Sequence, residues 1–252
     1  MDEVILQAKN LKKVFYSGKK SFTAVDNISF SIKKGECLGI VGESGSGKST
    51  VANMIARIVE PTEGKITLMS EDITELKGRK LKNIYRNIQM VFQMPHESFD
   101  PRRTLGDSIE ESLINYGTGR KEALQTAKEL LKKCGLPEEF YKKYPYEVSG
   151  GQCQRAAIAR AIALKPKVIV CDEATSALDV TVQKQVMELL LELKEKENIS
   201  FVLISHDLAL VQMFCDKVIV MHNGKAVETG TPDEIIKNPK ADYTKLLISS
   251  VL

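Results

Sequence analysis

The chain has 252 residues, enough for one compact unit, and its 43% hydrophobic content is enough to bury a sizeable core. A net charge of only +3 gives no case for a polyanion-binding surface, so we expect neither DNA nor RNA as a partner. The five cysteines are odd in number, scattered and without a C-x-x-C pair, which fits reduced cytosolic thiols and disfavours a zinc site or an iron–sulfur cluster.

No apolar run approaches the roughly 20 residues that span a bilayer, and the first ten residues, MDEVILQAKN, lack a secretory pattern. We therefore expect that any role in transport depends on separate transmembrane subunits.

Residues up to about Gln93 are predicted to form short strands with one helix. An antiparallel portion is expected to run from Val4 through residues 28–32 to residues 65–68. From Met94 to Lys165 the pattern becomes helical, with Gly135 as the stop of one helix that presents Ala123, Leu124, Ala127, Leu130, Leu131 and Cys134 at helical spacing.

A phosphate-binding loop is predicted between the apolar run 37–41 and a helix. The segment GESGSGKST fits G-x-x-x-x-G-K-[ST] in the strand, loop, helix context that this pattern requires. Glycines let successive backbone N–H groups surround an anion, Lys48 reaches the outer phosphates and the Ser49 hydroxyl is placed for Mg²⁺. The nucleotide-binding residues are predicted to be Gly42, Ser44, Gly45, Ser46, Gly47, Lys48, Ser49 and Thr50. The helix that follows is expected to stop at Pro61 and to carry on one face Val51, Met54, Ile55, Ile58 and Val59.

A second anion-binding motif is VSGGQCQR, residues 148–155. Ser149, Gly150 and Gly151 offer N–H groups at the start of an Ala-rich helix predicted from Gln152 to Leu164. A helix start without side-chain bulk can bind an anion, although in isolation the same residues also suit an ordinary capped helix.

Polar residues follow two predicted strands farther along the chain. Asp172 and Glu173 end the apolar run 168–171, where Asp172 would hold a metal and Glu173 would polarise an attacking water. His206 follows the strand 201–204 and would face the same crevice. Two adjacent acids, or one histidine, are by themselves more typical of a solvated turn, and the phosphate loop favours the catalytic interpretation. A further strand, 217–221, is expected to end in a turn at Asn223-Gly224, and the helix between the two acids and His206 is expected to present Val182, Val186, Leu189, Leu190 and Leu193.

The order and spacing of these motifs resemble those of ATP-binding cassette (ABC) ATPases over nearly the whole chain. Gln93 matches the Q-loop, residues 149–152 the signature, residues 176–179 the D-loop and His206 the switch histidine. The resemblance implies an α/β fold: a P-loop NTPase (RecA-like) core with an N-terminal antiparallel β subdomain and an inserted α-helical subdomain. It places the core in residues 1–93 and 166–231, the helical subdomain in 94–165 and a tail in 232–252.

The resemblance also implies the roles of the residues. Glu173, His206 and Gln93 would be catalytic; Ser49, Gln93 and Asp172 would hold Mg²⁺. In the family, the signature residues, here Ser149, Gly150, Gly151 and Gln152, close on ATP held by a second subunit. An obligate ATP-dependent dimer is therefore expected.

Two features of the nucleotide environment remain open. Phe15, which matches the family's adenine-stacking position, is favoured for that role ahead of Tyr16, although either aromatic could serve packing alone.

The signature departs from the family pattern at Val148 and Cys153. Cys153 would place a thiol beside the shared interface, where a helix N-terminus could lower its pKa and bulky thiol reagents would inhibit, or it could be an inert buried cysteine.

The segments FQMPHESFDPRRTLGDSIEE, SALDVTVQ and VETGTPDEIIKNPKADYTKLL resemble the oligopeptide, dipeptide and nickel importer branch of the family. That likeness implies an ATPase on the cytoplasmic face of the membrane that powers uptake of peptides or nickel and metal chelates. Its partners would be permease subunits, a second identical or different ATPase chain and, indirectly, an extracytoplasmic binding protein.

Three other classes compete with this interpretation. A soluble ABC ATPase acting on macromolecular assemblies would be expected to carry insertions for which 252 residues leave no room. A P-loop phosphotransferase has no use for the segment 149–152. A binding module that has lost hydrolysis is disfavoured by Glu173 and His206.

Overall fold

The structure is a computed structural model that describes residues 3–18, 20–176 and 178–249. The strands are β1 (Val4–Ser17), β2 (Lys20–Lys33), β3 (Cys37–Val41), β4 (Glu63–Leu68), β5 (Glu71–Asp72), β6 (Ile88–Val91), β7 (Val168–Asp172), β8 (Ser200–Ile204), β9 (Lys217–His222) and β10 (Lys225–Gly230). The helices are α1 (Lys48–Ile55), α2 (Gly78–Asn87), α3 (Leu105–Asn115), α4 (Arg120–Lys133), α5 (Gly150–Ile162), α6 (Val180–Glu197), α7 (Leu208–Phe214), α8 (Pro232–Lys237) and α9 (Asp242–Ser249). Short 3₁₀ turns occupy His96–Ser98, Glu138–Lys142 and Pro145–Glu147.

The central sheet has the strand order β10-β9-β3-β8-β7-β6. Strands β9, β3, β8, β7 and β6 are parallel, and β10 pairs antiparallel with β9. Every residue of β3 and β8 is buried, as expected for parallel strands covered on both faces. Because parallel strands end at the same edge, the segments that begin at Gly42, Phe92, Glu173 and Ser205 lie side by side there. This edge is the predicted nucleotide crevice.

The second sheet is antiparallel, with the order β2-β1-β4-β5. The side chains of Leu6 from β1, Ile28 from β2 and Ile66 from β4 share one buried core with Ile40 of the central sheet and Met54 of α1. The two sheets are thus joined through α1, directly behind the predicted phosphate loop. The expected antiparallel N-terminal portion is confirmed.

Helices α3, α4 and α5 fill the chain between β6 and β7, as predicted. Helix α4 ends at Lys133, and the predicted stop, Gly135, follows with a φ of 73°, in the left-handed region that favours glycine. The N–H of Gly135 donates to the Lys132 carbonyl at 3.0 Å, and the N–H of Leu136 donates to the Leu131 carbonyl at 2.9 Å. This paired arrangement satisfies the last carbonyls of the helix.

Three predicted boundaries or elements are wrong. A second helix, α2, lies before Gln93. The sequence did not reveal it because only one of the residues described in this helix, Ile84, is buried. Helix α1 ends at Ile55 rather than near Pro61, since Arg57 adopts a left-handed φ of 57° and its Nε donates to the Ile73 carbonyl at 2.9 Å. Helix α5 covers 150–162 rather than 152–164, because Ser149 caps it two residues earlier than expected.

The predicted turn at Asn223-Gly224 is confirmed. Both residues have positive φ, 47° and 77°, and they join β9 to β10 as a two-residue hairpin turn of the type that matches strand twist. Within the described ranges, no helix combines the length and the apolar content that crossing a bilayer requires.

Candidate functional site

The phosphate loop connects β3 to α1, and two of its glycines are required by neighbouring backbone. Gly42 has φ 146°, and a Cβ at this position would lie 2.2 Å from the Met221 carbonyl oxygen. Gly47 has φ 103°, and a Cβ there would lie 2.3 Å from the Ala24 carbonyl oxygen. No side chain fits at either place. The backbones of β2 and β9 therefore pack directly against the backbone of the loop at these two glycines.

Lys48 lies inside the loop with 5% of its surface exposed. Its Nζ donates to the carbonyl oxygens of Gly42 and Glu43, both at 2.8 Å. Burial lowers the pKa of Lys48, and the carboxylates of Glu173, Asp172 and Glu43 oppose this effect without cancelling it. The Ser46 hydroxyl is buried and has no hydrogen-bond partner among the described residues. A phosphate group in the loop would supply an anion for Lys48 and an acceptor for Ser46, so the site fits a nucleotide.

Ser49 and Asp172 bring two oxygen ligands together from distant parts of the sequence. Ser49 Oγ donates to Asp172 Oδ1 at 3.1 Å across the gap between α1 and the end of β7. Burial raises the pKa of Asp172, an effect that the Ser49 hydrogen bond opposes and the neighbouring Glu173 carboxylate reinforces. A hydroxyl and a carboxylate are ligands that Mg²⁺ prefers, and a divalent cation would favour the charged form of Asp172.

Glu173 and His206 face each other at the same edge of the sheet. Glu173 Oε2 lies 3.9 Å from His206 Nδ1. Glu173 has a left-handed φ of 49°, while its N–H donates to the Ile204 carbonyl at 3.0 Å and so continues the pairing of β7 with β8. Backbone held in this sparsely populated region clusters at functional sites. His206 is 65% exposed and accessible to a ligand, while its neighbour Asp207 caps α7 through Oδ1.

Gln93 is connected to the backbone of Glu173 through a serine. Its Nε2 donates to Ser176 Oγ at 3.2 Å, and the Ser176 hydroxyl donates to the Glu173 carbonyl at 3.0 Å. The predicted D-loop, 176–179, begins at this serine; Ala177 lies outside the described residues. Gln93 is therefore placed next to the turn at Glu173.

The segment around Gln93, residues 92–99, is attached to helix α5, whose first turn carries the signature. The Gln154 amide donates to the Phe92 carbonyl at 3.4 Å. The Arg160 guanidinium donates to the carbonyl and the hydroxyl of Ser98 at 2.6 and 3.0 Å and lies over the Phe99 ring. A shift of the segment from Gln93 to Phe99 would therefore pull on α5.

Three open clefts surround Lys48, Asp172 and Glu173. The first, about 250 Å³, is lined by Phe22, Ala24, Ser44, Gly45, Gly47, Lys48, Ser49, Thr50 and Glu173. The second, about 810 Å³, is lined by Gly42, Glu43, Ser44, Lys48, Glu173, His206, Asp207, Leu208, Ala209 and Leu247. The third, about 370 Å³, is lined by Phe92, Gln93, Met94, Glu97, Ser98 and Asp172. Together they bring the predicted phosphate, metal and catalytic residues to one edge of the sheet.

The signature residues do not line these three clefts. Ser149 caps α5: its hydroxyl accepts from the Gln152 N–H at 3.3 Å, and its own N–H donates to Gln152 Oε1 at 2.9 Å. The Ser149 N–H is thus used within the chain, contrary to the expectation that it is offered to an anion, and the glycine N–H groups are left for that role. A Cβ on Gly151 would lie 2.1 Å from Val182 Cγ1, so this glycine also permits close packing of α5 on α6.

The predicted adenine residue Phe15 is 43% exposed and lies directly opposite Phe22 in the pairing of β1 with β2. Phe22, which the sequence analysis did not single out, lines the cleft at the phosphate loop, whereas Phe15 does not. Its signal in the sequence was its position two residues before Ala24, which also lines that cleft. Both side chains are exposed, and as cross-strand partners they lie on the same face of the sheet.

The hypothesis of a reactive Cys153 is wrong. The side chain is fully buried, and burial raises the pKa of its thiol to about 12. The five cysteines of the chain are all buried as free thiols. Burial against the helical core outweighs the influence of the helix N-terminus, so Cys153 is the inert cysteine.

Comparison with known proteins agrees with this geometry. Residues 25–176 match the family model described as ABC transporter. The chain is 43% identical over 251 residues to the oligopeptide transport ATP-binding protein OppF of Salmonella typhimurium, covering 99% of this chain and 75% of the relative. It is 45% identical over 258 residues to the oligopeptide transport ATP-binding protein AppF of Bacillus subtilis, covering 99% and 78%.

A solved structure is similar in fold. The ATP-binding cassette MJ0796, in a dimeric post-hydrolysis state bound to ADP and Pi, superposes with a TM-score of 0.83 at 33% sequence identity, covering 90% of this chain and 99% of that one. Its cassette fold agrees with the predicted P-loop core, antiparallel β subdomain and helical insertion. This chain belongs to the ABC transporter family, as an ATP-hydrolysing cassette.

Proposed function

We propose that this chain is the ATP-hydrolysing subunit of an importer that takes up peptides through separate permease subunits. The observation that carries the proposal is similarity over 99% of this chain to oligopeptide transport ATP-binding proteins, together with a complete set of residues for hydrolysis. That set comprises Lys48, the Ser49–Asp172 pair and the Glu173–His206 pair. The sequence also indicated nickel or metal chelates; both relatives described above are named for oligopeptides, so peptides are the cargo proposed.

The phosphate loop holds the triphosphate of ATP. Lys48 binds the outer phosphates in place of the two carbonyl oxygens that it contacts here, and the loop residues 42–50 surround them with N–H groups. Ser49 and Asp172, assisted by Gln93, are the residues that would hold Mg²⁺. When bound, Mg²⁺ neutralises charge on the phosphates. Phe15, together with Phe22, stacks on adenine.

Glu173 acts as the general base that takes a proton from the attacking water. His206, 3.9 Å away, orients that water or the γ-phosphate. Gln93 transmits nucleotide binding from the site to helix α5. Ser176 links Gln93 to the Glu173 carbonyl, and Gln154 of α5 binds the carbonyl of the neighbouring Phe92.

The active site is completed by a second ATPase subunit, identical or different. The signature residues lie outside the three clefts around Lys48, Asp172 and Glu173. They are proposed to close on ATP held by the partner, and they comprise Ser149, Gly150, Gly151 and Gln152. Hydrolysis then requires two chains, which couples each turnover to closing of the pair.

The dimer is proposed to work at the cytoplasmic face of the membrane, bound to permease subunits. Residues 94–165 form the helical subdomain that moves the permease, residues 1–93 and 166–231 the nucleotide-binding core, and residues 232–252 the tail. An extracytoplasmic binding protein delivers the peptide and acts on this chain through the permease.

Uptake by cells tests the proposal. A strain that lacks this chain is complemented with the wild type, with Glu173→Gln or with Tyr116→Phe, a matched control that removes a hydroxyl bonded to the Lys82 carbonyl far from the clefts. We expect accumulation of a radiolabelled tripeptide to return with the wild type and the control and to stay absent with Glu173→Gln. Radioactive nickel is supplied in parallel.

Peptide uptake that is independent of the chain would contradict the proposal. Restoration of nickel uptake without peptide uptake would keep the ATPase assignment and overturn the cargo.

A further inference from the structure

The C-terminal helix α9 touches the phosphate loop. Tyr243 Oη accepts a hydrogen bond from the backbone N–H of Glu43 at 3.1 Å, across 200 positions of sequence. Glu43 is the second residue of the loop, and the peptide unit that carries its N–H also carries the Gly42 carbonyl, which accepts from Lys48 Nζ at 2.8 Å. One peptide unit thus connects the tail hydroxyl to the ammonium that is proposed to bind phosphate.

Tyr243 also packs on the end of the strand beside the loop. Its ring lies 3.9 Å from the ring of His222, centroid to centroid, at an angle of 32°. His222 is the last residue of β9, and the next turn supplies Gly224, whose N–H donates to the Ser46 carbonyl of the loop at 3.0 Å. The loop is therefore held from outside at Glu43 by Tyr243 and at Ser46 by the turn that follows His222, the residue on which Tyr243 packs.

Helix α9 is itself firmly docked, so the Tyr243 contact is fixed in place. The N–H groups of Lys240 and Ala241, just before the helix, donate to the two carboxylate oxygens of Glu228 at 2.9 and 3.0 Å. Thr244 is fully buried, and Ile248 belongs to the main hydrophobic core. Lys240, Ala241 and Glu228 anchor one end of the helix while its apolar face anchors the rest.

We infer that Tyr243 is a positioning residue for the phosphate loop, through which the tail helix tunes the affinity of the chain for the nucleotide triphosphate. The Tyr243 hydroxyl fixes the peptide unit between Gly42 and Glu43, and the Gly42 carbonyl of that same unit fixes the resting position of Lys48. Loss of the hydroxyl frees that peptide to rotate, so the loop must be ordered when phosphate binds. The inference rests on the proposed nucleotide site.

The test is a set of tyrosine variants of the full chain. Tyr243→Phe removes the hydroxyl and keeps the ring on His222, and Tyr116→Phe removes a hydroxyl that is bonded to the Lys82 carbonyl elsewhere. Binding of a fluorescent ATP analogue to the purified chain is measured with thermal unfolding, and KM for ATP and kcat are measured in the assembled transporter. For Tyr243→Phe we expect about five-fold weaker nucleotide binding, the size of one hydrogen bond. KM should rise with kcat unchanged, and Tyr116→Phe should match the wild type in nucleotide binding, KM and kcat.

Wild-type affinity and KM in Tyr243→Phe would overturn the inference, as would an equal loss of affinity in Tyr116→Phe. Lys48→Ala separates this failure from a failure of the proposed site. If the wild type binds the analogue, Lys48→Ala does not and Tyr243→Phe binds as the wild type does, then the site stands and the role of Tyr243 falls. If Lys48→Ala binds as well as the wild type, the proposed site and the role of Tyr243 both fall.

Discussion

Ser49 Oγ and Asp172 Oδ1, 123 positions apart in sequence, meet at 3.1 Å. The contact joins the first turn of α1 to the last residue of β7, so the phosphate loop and the acidic turn form one unit. Asp172 is largely removed from water, and burial raises its pKa. In the absence of a cation, the charged carboxylate of Asp172 therefore lowers the free energy of unfolding. The hydrogen bond from Ser49 only partly compensates for this loss.

Asp172→Asn should raise the stability of the nucleotide-free chain at neutral pH. The folded-state pKa of Asp172 lies above the ordinary value of 3.8, so the folded state binds the proton more tightly than the unfolded state does. The stability due to the protonated acid is present below pH 3.8 and is lost as pH rises through the raised pKa. We expect the variant to melt above the wild type at pH 7.5 and to lose this advantage as the pH falls towards 3.8.

In the presence of Mg²⁺ and ATP, the wild type should be more stable than Asp172→Asn. Ligand binding stabilises the folded state by mass action, and the wild type should gain more than Asp172→Asn because it keeps the carboxylate for the metal. A variant that is less stable than the wild type at pH 7.5 without nucleotide would contradict the sign of the pKa shift.

Glu173→Gln should bind ATP but lose hydrolysis by at least about 100-fold, the usual contribution of a general base. The amide keeps the size of the side chain and cannot accept the proton. The variant should accumulate as a closed, ATP-bound pair, which light scattering and single-turnover kinetics would detect. Robust turnover would remove Glu173 from the role of base.

Ser149→Arg should abolish hydrolysis and spare ATP binding to the monomer. Ser149 lies at the start of α5, away from the three clefts around Lys48, so the added side chain would obstruct the partner's ATP rather than its own. Nucleotide titration of the monomer and ATPase assays of the assembled transporter check the two halves of this prediction. Full activity would refute the shared site.

Gly151→Ala should destabilise the chain by about 1–3 kcal/mol, because the added Cβ overlaps Val182 Cγ1. Val182→Ala removes the obstructing methyl groups, so the double variant should recover much of the loss. Chemical denaturation of the four chains gives the coupling energy between the two positions. Additive effects would mean that α5 and α6 do not pack as described.

Bulky thiol reagents should leave the native chain active. The five cysteines are buried, and burial raises the thiol pKa of Cys153 to about 12. Reaction should begin only as the chain unfolds, and Cys153→Ser should behave as the wild type does. Rapid labelling of the folded wild type that Cys153→Ser abolishes would contradict this.

The sequence predicted the crevice because local pattern and sheet geometry determine it. Gly42, Glu173 and His206 each follow an apolar run, and parallel strands bring such positions to one edge. The same reasoning failed for Arg57, since a left-handed break in α1 depends on a bond to the distant Ile73 carbonyl. It could not foresee the contact of Tyr243 with Glu43, which depends on how a tail helix docks rather than on spacing.

The reactivity of Cys153 is another property that the sequence alone could not predict. The sequence placed the residue near a helix N-terminus, which favours a reactive thiolate. Its position on the buried face of α5, packed into the helical core, has the opposite effect on its pKa. Only tertiary packing could decide which influence is larger.

The central claim is that this chain drives peptide uptake as part of a membrane assembly. The most direct test is purification of the tagged chain from its native membranes, with mass spectrometry to identify what accompanies it. The account predicts permease subunits, an ATPase partner chain and a peptide-binding protein. Recovery as a soluble species with no membrane partner would contradict the account and favour an ABC ATPase that acts on a soluble assembly.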